Sequence, residues 1–247
     1  MIRAAIFDLD GTLVQTEKLK SISYARAIQE LCRNQISIEE GQEAFKEVVG
    51  LSRQEVAAAL VKRFDLAGKA NARLQEFQVE FPWQALVHLR LQYYDRMLAD
   101  PQVLRDNQWA HNVGILKLAR MNDCKTALAT MSHATQVDFV LDTIGLRQEF
   151  DVILSRDDVE HSKPDPEIYL LAARLLDVQP EECFVLEDSP AGVRAAVSAG
   201  MHVVAVSTPF TRRALHEQNV VDPKWIVDEP GELLRVVQEF INIPRIS

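Results

Sequence analysis

A chain of 247 residues, 47% hydrophobic with 9 glycines and 10 prolines, can bury a real core in one large domain or two modest ones, which argues against intrinsic disorder. Its 27 basic and 36 acidic residues leave a formal charge of −9, which argues against a nucleic-acid or anionic-membrane surface. Three scattered cysteines, Cys32, Cys124 and Cys183, suggest neither a disulfide framework nor a zinc cluster.

The N-terminus, MIRAAIFDLD, carries charge too early for a secretory leader, and no long apolar run follows. A soluble protein of a reducing compartment, the cytoplasm, is expected. AAIF (4–7) reads as a first strand. From about Thr16 to Asp100 no strand pattern occurs. Amphipathic stretches such as KLKSISYARAIQELCR, IEEGQEAFKEVV, SRQEVAAALVKRF and WQALVHLRLQYYDRMLA predict an all-helical insert there. Beyond it, short β-branched runs at TALAT (126–130), DVILS (151–155), CFVLE (183–187), HVVAV (202–206) and WIV (225–227) alternate with helical patterns at 112–122, 135–145, 166–178 and 191–200. Gly145 and Gly200 sit where helix C-caps belong. Nearly continuous apolar strands alternating with helices predict a doubly wound parallel α/β core, residues 1–15 with 105–247, interrupted by a helical domain at 16–104.

Chemistry gathers at the carboxyl ends of the strands, where open α/β sheets bind ligands. In an extended chain, residues i and i+2 share a face, so Asp8 and Asp10 are expected to point one way with Leu9 turned to the core. Gly11 permits a tight turn and close approach of a ligand. Strand two offers the hydroxyls of Thr130 and Ser132. Lys163 follows strand three, just before a proline-started helix, and strand four ends in Glu187 and Asp188. Acids, hydroxyls and one lysine make a site for a phosphoryl group held with Mg²⁺, since carboxylates suit the cation while hydroxyls and an ammonium suit phosphate oxygens. Asp8 is then the nucleophile, forming an aspartyl-phosphate, and Asp10 protonates the leaving alkoxide and later activates water. The cation, on Asp8 and Asp188 with Glu187 binding directly or through water, removes the repulsion between carboxylate and phosphate.

In these residues the chain resembles the haloacid dehalogenase-like (HAD) superfamily. FDLDGTLV is similar to its first motif, Thr130 to its second, Lys163 in SKPDPEIY to its third and EDSPAG to its fourth, in the family's order over about residues 4–210. The resemblance implies a Rossmann-like core, Mg²⁺, the backbone carbonyl of Asp10 as a further metal ligand, and a helical insert acting as a mobile cap that excludes water. The chain is also similar to the phosphatase and β-phosphoglucomutase branch. GLSRQEV (50–56) resembles the cap loop whose arginine, here Arg53, contacts the distal substrate phosphate in the mutase, and Arg90 falls where that enzyme has a cap lysine. Two features depart from the pattern. Lys20, in QTEKLK, replaces the mutase-like histidine, which weakens the mutase reading. The usual PG is missing from LRDNQWAHNV, so the site entrance is expected to differ there.

The leading expectation is a phosphomonoester hydrolase acting on a small soluble metabolite, such as a sugar phosphate. A phosphomutase is the alternative, and a catalytically idle binding protein is the alternative from another class. A dehalogenase is disfavoured because a leaving halide needs no proton from Asp10. A response-regulator receiver is about half this length and carries no helical insert. His111, His133 and His161 read as loop residues with no paired metal spacing, and Trp83, Trp109 and Trp225 as packing.

Overall fold

Six apolar runs form strands in a computed structural model that describes residues 1–49 and 51–239. They are β1 (Ala4–Phe7), β2 (Lys125–Ala129), β3 (Val152–Leu154), β4 (Cys183–Glu187), β5 (His202–Val206) and β6 (Ile226–Val227). They join in one sheet of order β3-β2-β1-β4-β5-β6, and every pairing is parallel. All four residues of β1 and all five of β4 are buried, as expected for strands covered on both faces. The register sets Phe7 beside Leu128 on one side and Leu186 on the other. The tips of β1, β2 and β4 are therefore level, and the strand order reverses at β1, where an open α/β sheet leaves a crevice.

The chain divides into two compact units, Met1–Gln15 with the chain from Leu104 onward, and Thr16–Val103. Gly50, first residue of the GLSRQEV stretch, and residues 240–247 lie outside the described residues. Within Thr16–Val103 the elements are α1 (Thr16–Leu31), α2 (Ile38–Lys46), α3 (Arg53–Arg63), α4 (Ala67–Asn71), α5 (Leu74–Phe77) and α6 (Pro82–Leu98), with no strand among the described residues. Ser37 and Ser52 start α2 and α3 with reciprocal capping boxes to Glu40 and Glu55. Gly41 lets α2 lie against α1, for a Cβ there would come within 2.7 Å of the Ala25 Cβ. Helix α6 packs on α1 and α3. No helix among the described residues is long and apolar enough to cross a membrane.

After α7 (Pro101–Asp106), the remaining helices are α8 (Ala110–Met121), α9 (Ala134–Ile144), α10 (Glu167–Leu175), α11 (Pro190–Ser198), α12 (Arg212–Glu217) and α13 (Leu233–Val237). Helices α10 and α11 cover one sheet face, where Ile168, Tyr169, Ala172, Val193 and Ala196 pack with Ile6, Ala127, Val185 and Val203. Helices α8 and α13 pack against each other on the sheet, α8 over β1 and β2 and α13 over β5. Two elements end earlier than their apolar patterns predict. Helix α10 stops at Leu175 because Asp177 adopts φ +54°, which no glycine signals in the sequence. Strand β3 is shorter because the Asp151 carboxylate accepts from the Thr126 amide, and Ser155 already caps the next turn.

Candidate active site

The first acidic pair is delivered by a strand and a turn together. Asp8 extends the parallel pairing by one bond, its amide donating to Leu186 O at 3.1 Å. Past it the chain turns, with Gly11 at φ +87° donating to Val14 O and Leu13 donating to Leu9 O. Leu9 is buried, as expected. Asp10 lies beyond the end of β1, so its orientation is set by the turn and not by strand pleat. Its Oδ2 accepts from the Ser132 hydroxyl, while its buried Oδ1 meets no hydrogen-bond partner. Ser132 in turn donates its amide to the Thr130 hydroxyl at 3.2 Å, and Thr130 is fully buried at the tip of β2.

Lys163 follows the tip of β3 by nine positions, yet it closes the centre of the site. Its ammonium donates to Asp8 Oδ1 at 2.8 Å, to Glu187 Oε1 at 2.6 Å and to the Ala129 carbonyl at 3.0 Å. All three side chains of this ion-pair cluster are at least nine-tenths buried. Glu187 is held from every side. Tyr169 donates its hydroxyl to Oε1 at 3.1 Å, and Ser189 donates its amide and hydroxyl to Oε2 at 2.8 and 3.0 Å. A Cβ on Gly192 would lie 1.6 Å from Glu187 Oε1, so α11 approaches this carboxylate only because that residue is glycine. Both Glu187 oxygens are thus engaged by protein donors. On sequence alone Glu187 is grouped with Asp188 as a metal-side acid; in the structure it lies in one acidic group with Asp8 and Asp188 and also anchors Lys163. Tyr169 is a site residue that sequence reasoning missed, because it sits in an apolar helical run and its partner is 18 positions away.

Asp188 is buried against the turn after β1. A Cβ on Gly11 would come within 2.2 Å of Asp188 Oδ2, and the Thr12 hydroxyl lies 3.4 Å from Oδ1. Asp8, Glu187 and Asp188 each place a carboxylate oxygen within 4.8 Å of the others. Burial pushes the Asp8 carboxyl up to about 8, with Lys163 opposing and Glu187 and Asp10 adding to the rise. Burial works against the Lys163 ammonium too, but Asp8 and Glu187 more than reverse it and hold the lysine protonated. Burial, then Glu187, raise Tyr169 well above an ordinary phenol, so it serves as a donor. Three buried carboxylates face one ammonium here. That excess of negative charge and oxygen donors fits a hard divalent cation such as Mg²⁺.

The two remaining predicted residues belong to the helical unit. Arg53 begins α3 and is exposed. Arg90 is only 6% exposed, inside the unit, with its guanidinium carbon 5.3 and 4.6 Å from the centres of the Tyr24 and Tyr94 rings and its Nε without a partner. Burial lowers its pKa and the two tyrosines oppose that. Arg90, Arg53 and Lys20 all act electrostatically on Tyr24, and Lys20 pairs with Glu17 at 2.7 Å. His133 and His161 lie outside the helices, as expected, but His111 stands in the first turn of α8. His161, Asp165 and Glu167 bring ligand atoms within 4.8 Å of one another. The Glu167 carboxylate there accepts from the amides of Glu160 and His161, which orders the loop carrying Lys163.

The family model for haloacid dehalogenase-like hydrolases matches residues 2–200. The chain belongs to that family. A phosphorylated carbohydrates phosphatase of Thermotoga maritima is 28% identical over 242 residues, covering 97% of this chain and 100% of that protein. The β-phosphoglucomutase of Bacillus subtilis is 26% identical over 205 residues, 83% of each. Among solved structures, CbbY from Rhodobacter sphaeroides in complex with phosphate is 27% identical with a TM-score of 0.55, over 86% of this chain and 89% of that one. The HAD-like assignment accounts for the sheet, the level strand tips and the acids gathered there.

Proposed function

We propose that this HAD-like hydrolase is a Mg²⁺-dependent phosphatase that cleaves a small phosphomonoester, a sugar phosphate or similar metabolite, through an aspartyl-phosphate on Asp8. The observation that carries the reading is the buried Asp8–Lys163–Glu187 cluster with Asp188 beside it, a set of oxygen donors short of positive charge at the tips of parallel strands. The phosphatase and mutase relatives, and the phosphate bound by CbbY, support a phosphoryl substrate.

Asp8, the Asp10 carbonyl and Asp188 would hold the cation, with Glu187 spent on Lys163. When bound, Mg²⁺ supplies the charge that lets carboxylate and phosphate approach. Lys163 orients the Asp8 carboxylate and, with Thr130 and Ser132, offers donors to phosphate oxygens. Asp8 attacks phosphorus, the bond from phosphorus to the ester oxygen breaks, and Asp10 gives its proton to the departing alkoxide. Asp10 then takes a proton from water, which attacks the same phosphorus, releasing phosphate and restoring Asp8. Ser132 holds Asp10 in one rotamer through Oδ2 and leaves Oδ1 to carry the proton. The helical unit is proposed as the cap, with Arg53 and Arg90 addressing the substrate's distal end. A cytoplasmic setting agrees with three buried free thiols.

A mutase remains the second reading through Arg53, but Lys20, paired with Glu17, stands where the mutase-like pattern has a histidine. Phosphate release from a panel of sugar phosphates, nucleotides and small phosphoesters, with and without Mg²⁺, tests the proposal. Turnover that needs Mg²⁺ and falls more than ~10³-fold in Asp8→Asn is expected. Glucose 6-phosphate formed from β-glucose 1-phosphate without free phosphate would move the assignment to the mutase. No turnover above the Asp8→Asn background would revive the binding-protein reading.

A further inference from the structure

The segment that lacks the expected PG is bonded directly to the turn that carries Asp8 and Asp10. Asn107 O accepts from the Gln15 amide at 2.8 Å, the Trp109 amide donates to Leu13 O at 2.9 Å, and Val14 and Gln108 form an antiparallel bridge. Three residues further on, in the first turn of α8, Asn112 donates its side-chain amide to Thr12 O at 2.6 Å. Asn112 is 4% exposed and Thr12 fully buried, so water cannot replace that bond cheaply. Thr12 and Gly11 form the notch in which Asp188 lies, one through its hydroxyl and the other through its missing Cβ. The chain of contact therefore runs from Asn112 to Thr12 to Asp188.

We infer that Asn112 is a positioning residue for the metal-side carboxylate: by holding the Thr12 carbonyl it fixes the notch that aims Asp188 at the cation. The inference rests on the Mg²⁺ reading above and adds a residue outside the four motifs. Its physical basis is that outer-shell hydrogen bonds orient metal-binding carboxylates, and losing one typically costs ~10–100-fold in metal affinity or activity. Without that donor the turn backbone at Thr12 is free to shift, and a shift there moves the Thr12 hydroxyl away from Asp188.

Mn²⁺ binding followed by the electron paramagnetic resonance signal of the free ion tests this without substrate. Asn112→Leu keeps the bulk and removes the donor, and its Mn²⁺ Kd is expected to rise by about tenfold or more. Asn122→Ala is the control. Asn122 likewise donates to a backbone carbonyl, Leu118 O at 2.8 Å, but at the exposed far end of α8, and its loss should leave Mn²⁺ affinity within twofold. Thr12→Val removes the hydroxyl isosterically and decides the matter if Asn112→Leu does not fold, with the same rise in Kd expected. A folded Asn112→Leu that binds Mn²⁺ like the wild type overturns the inference, as does Thr12→Val with unchanged affinity in its place. Wild-type protein that binds no Mn²⁺ defeats the metal reading itself, and this inference with it.

Discussion

Asp8 is a nine-tenths buried carboxylate whose charged neighbours include the Lys163 ammonium and the carboxylates of Glu187, Asp10 and Asp188. Unfolded, it ionises near 3.8; folded and without a cation, it ionises near 8. As pH rises the unfolded chain therefore loses this proton first. The stability tied to Asp8 is full below about 3.8 and is lost as pH climbs to about 8, where the loss levels off. In EDTA the Tm is expected to fall across that window, and Asp8→Asn or excess Mg²⁺ should flatten the fall. A wild-type Tm in EDTA that falls no more steeply than that of Asp8→Asn would remove the electrostatic account of the site. At this scale the sequence was legible where spacing carries meaning. Asp8, Asp10, Thr130 and Asp188 follow apolar runs, so their places at or just beyond strand tips can be read in advance, and Lys163 is legible from its place in SKPDPEIY. The roles of Glu187, Tyr169 and Asn112 could not be, because each depends on a partner distant in sequence, 100 positions away for Asn112 and Thr12.

Among the elements, α11 shows how a helix is fitted to a charge. Ser189 caps it, accepting from the Gly192 amide at 3.1 Å, while the same serine donates to Glu187. Gly192 leaves the space in which Glu187 sits. Gly192→Ala should push Glu187 off Lys163 and Tyr169, destabilise the protein by ~1–3 kcal/mol in urea unfolding, and lower kcat without restoring activity at high Mg²⁺. Unchanged stability and rate would mean α11 shifts freely at its start. The longer helices of the insert were readable from their amphipathic period. The short ones, α4, α5 and α7, were not, since four to six residues hold too little period to stand out from a loop.

For the molecule as a whole, stability and function press on Arg90 from opposite sides. A guanidinium 6% exposed with an unpartnered Nε is costly to bury, and the faces of Tyr24 and Tyr94 offset part of that cost. If it is kept to meet an anionic end of the substrate, Arg90→Met should leave unfolding free energy within about 1 kcal/mol and raise KM about tenfold or more, with kcat less affected. A loss of several kcal/mol with unchanged KM would make Arg90 a structural residue of the helical unit. The sequence alone determined the architecture and the chemistry class. Strand and helix periods and the ordered acids, hydroxyls and lysine are local signals that survive without coordinates. Only the tertiary structure decided which acids hold Lys163, how near Asp188 lies to them, and which buried donor holds the turn after β1. Those assignments depend on distances of 3 Å between residues far apart in the chain, and burial makes each of them matter energetically.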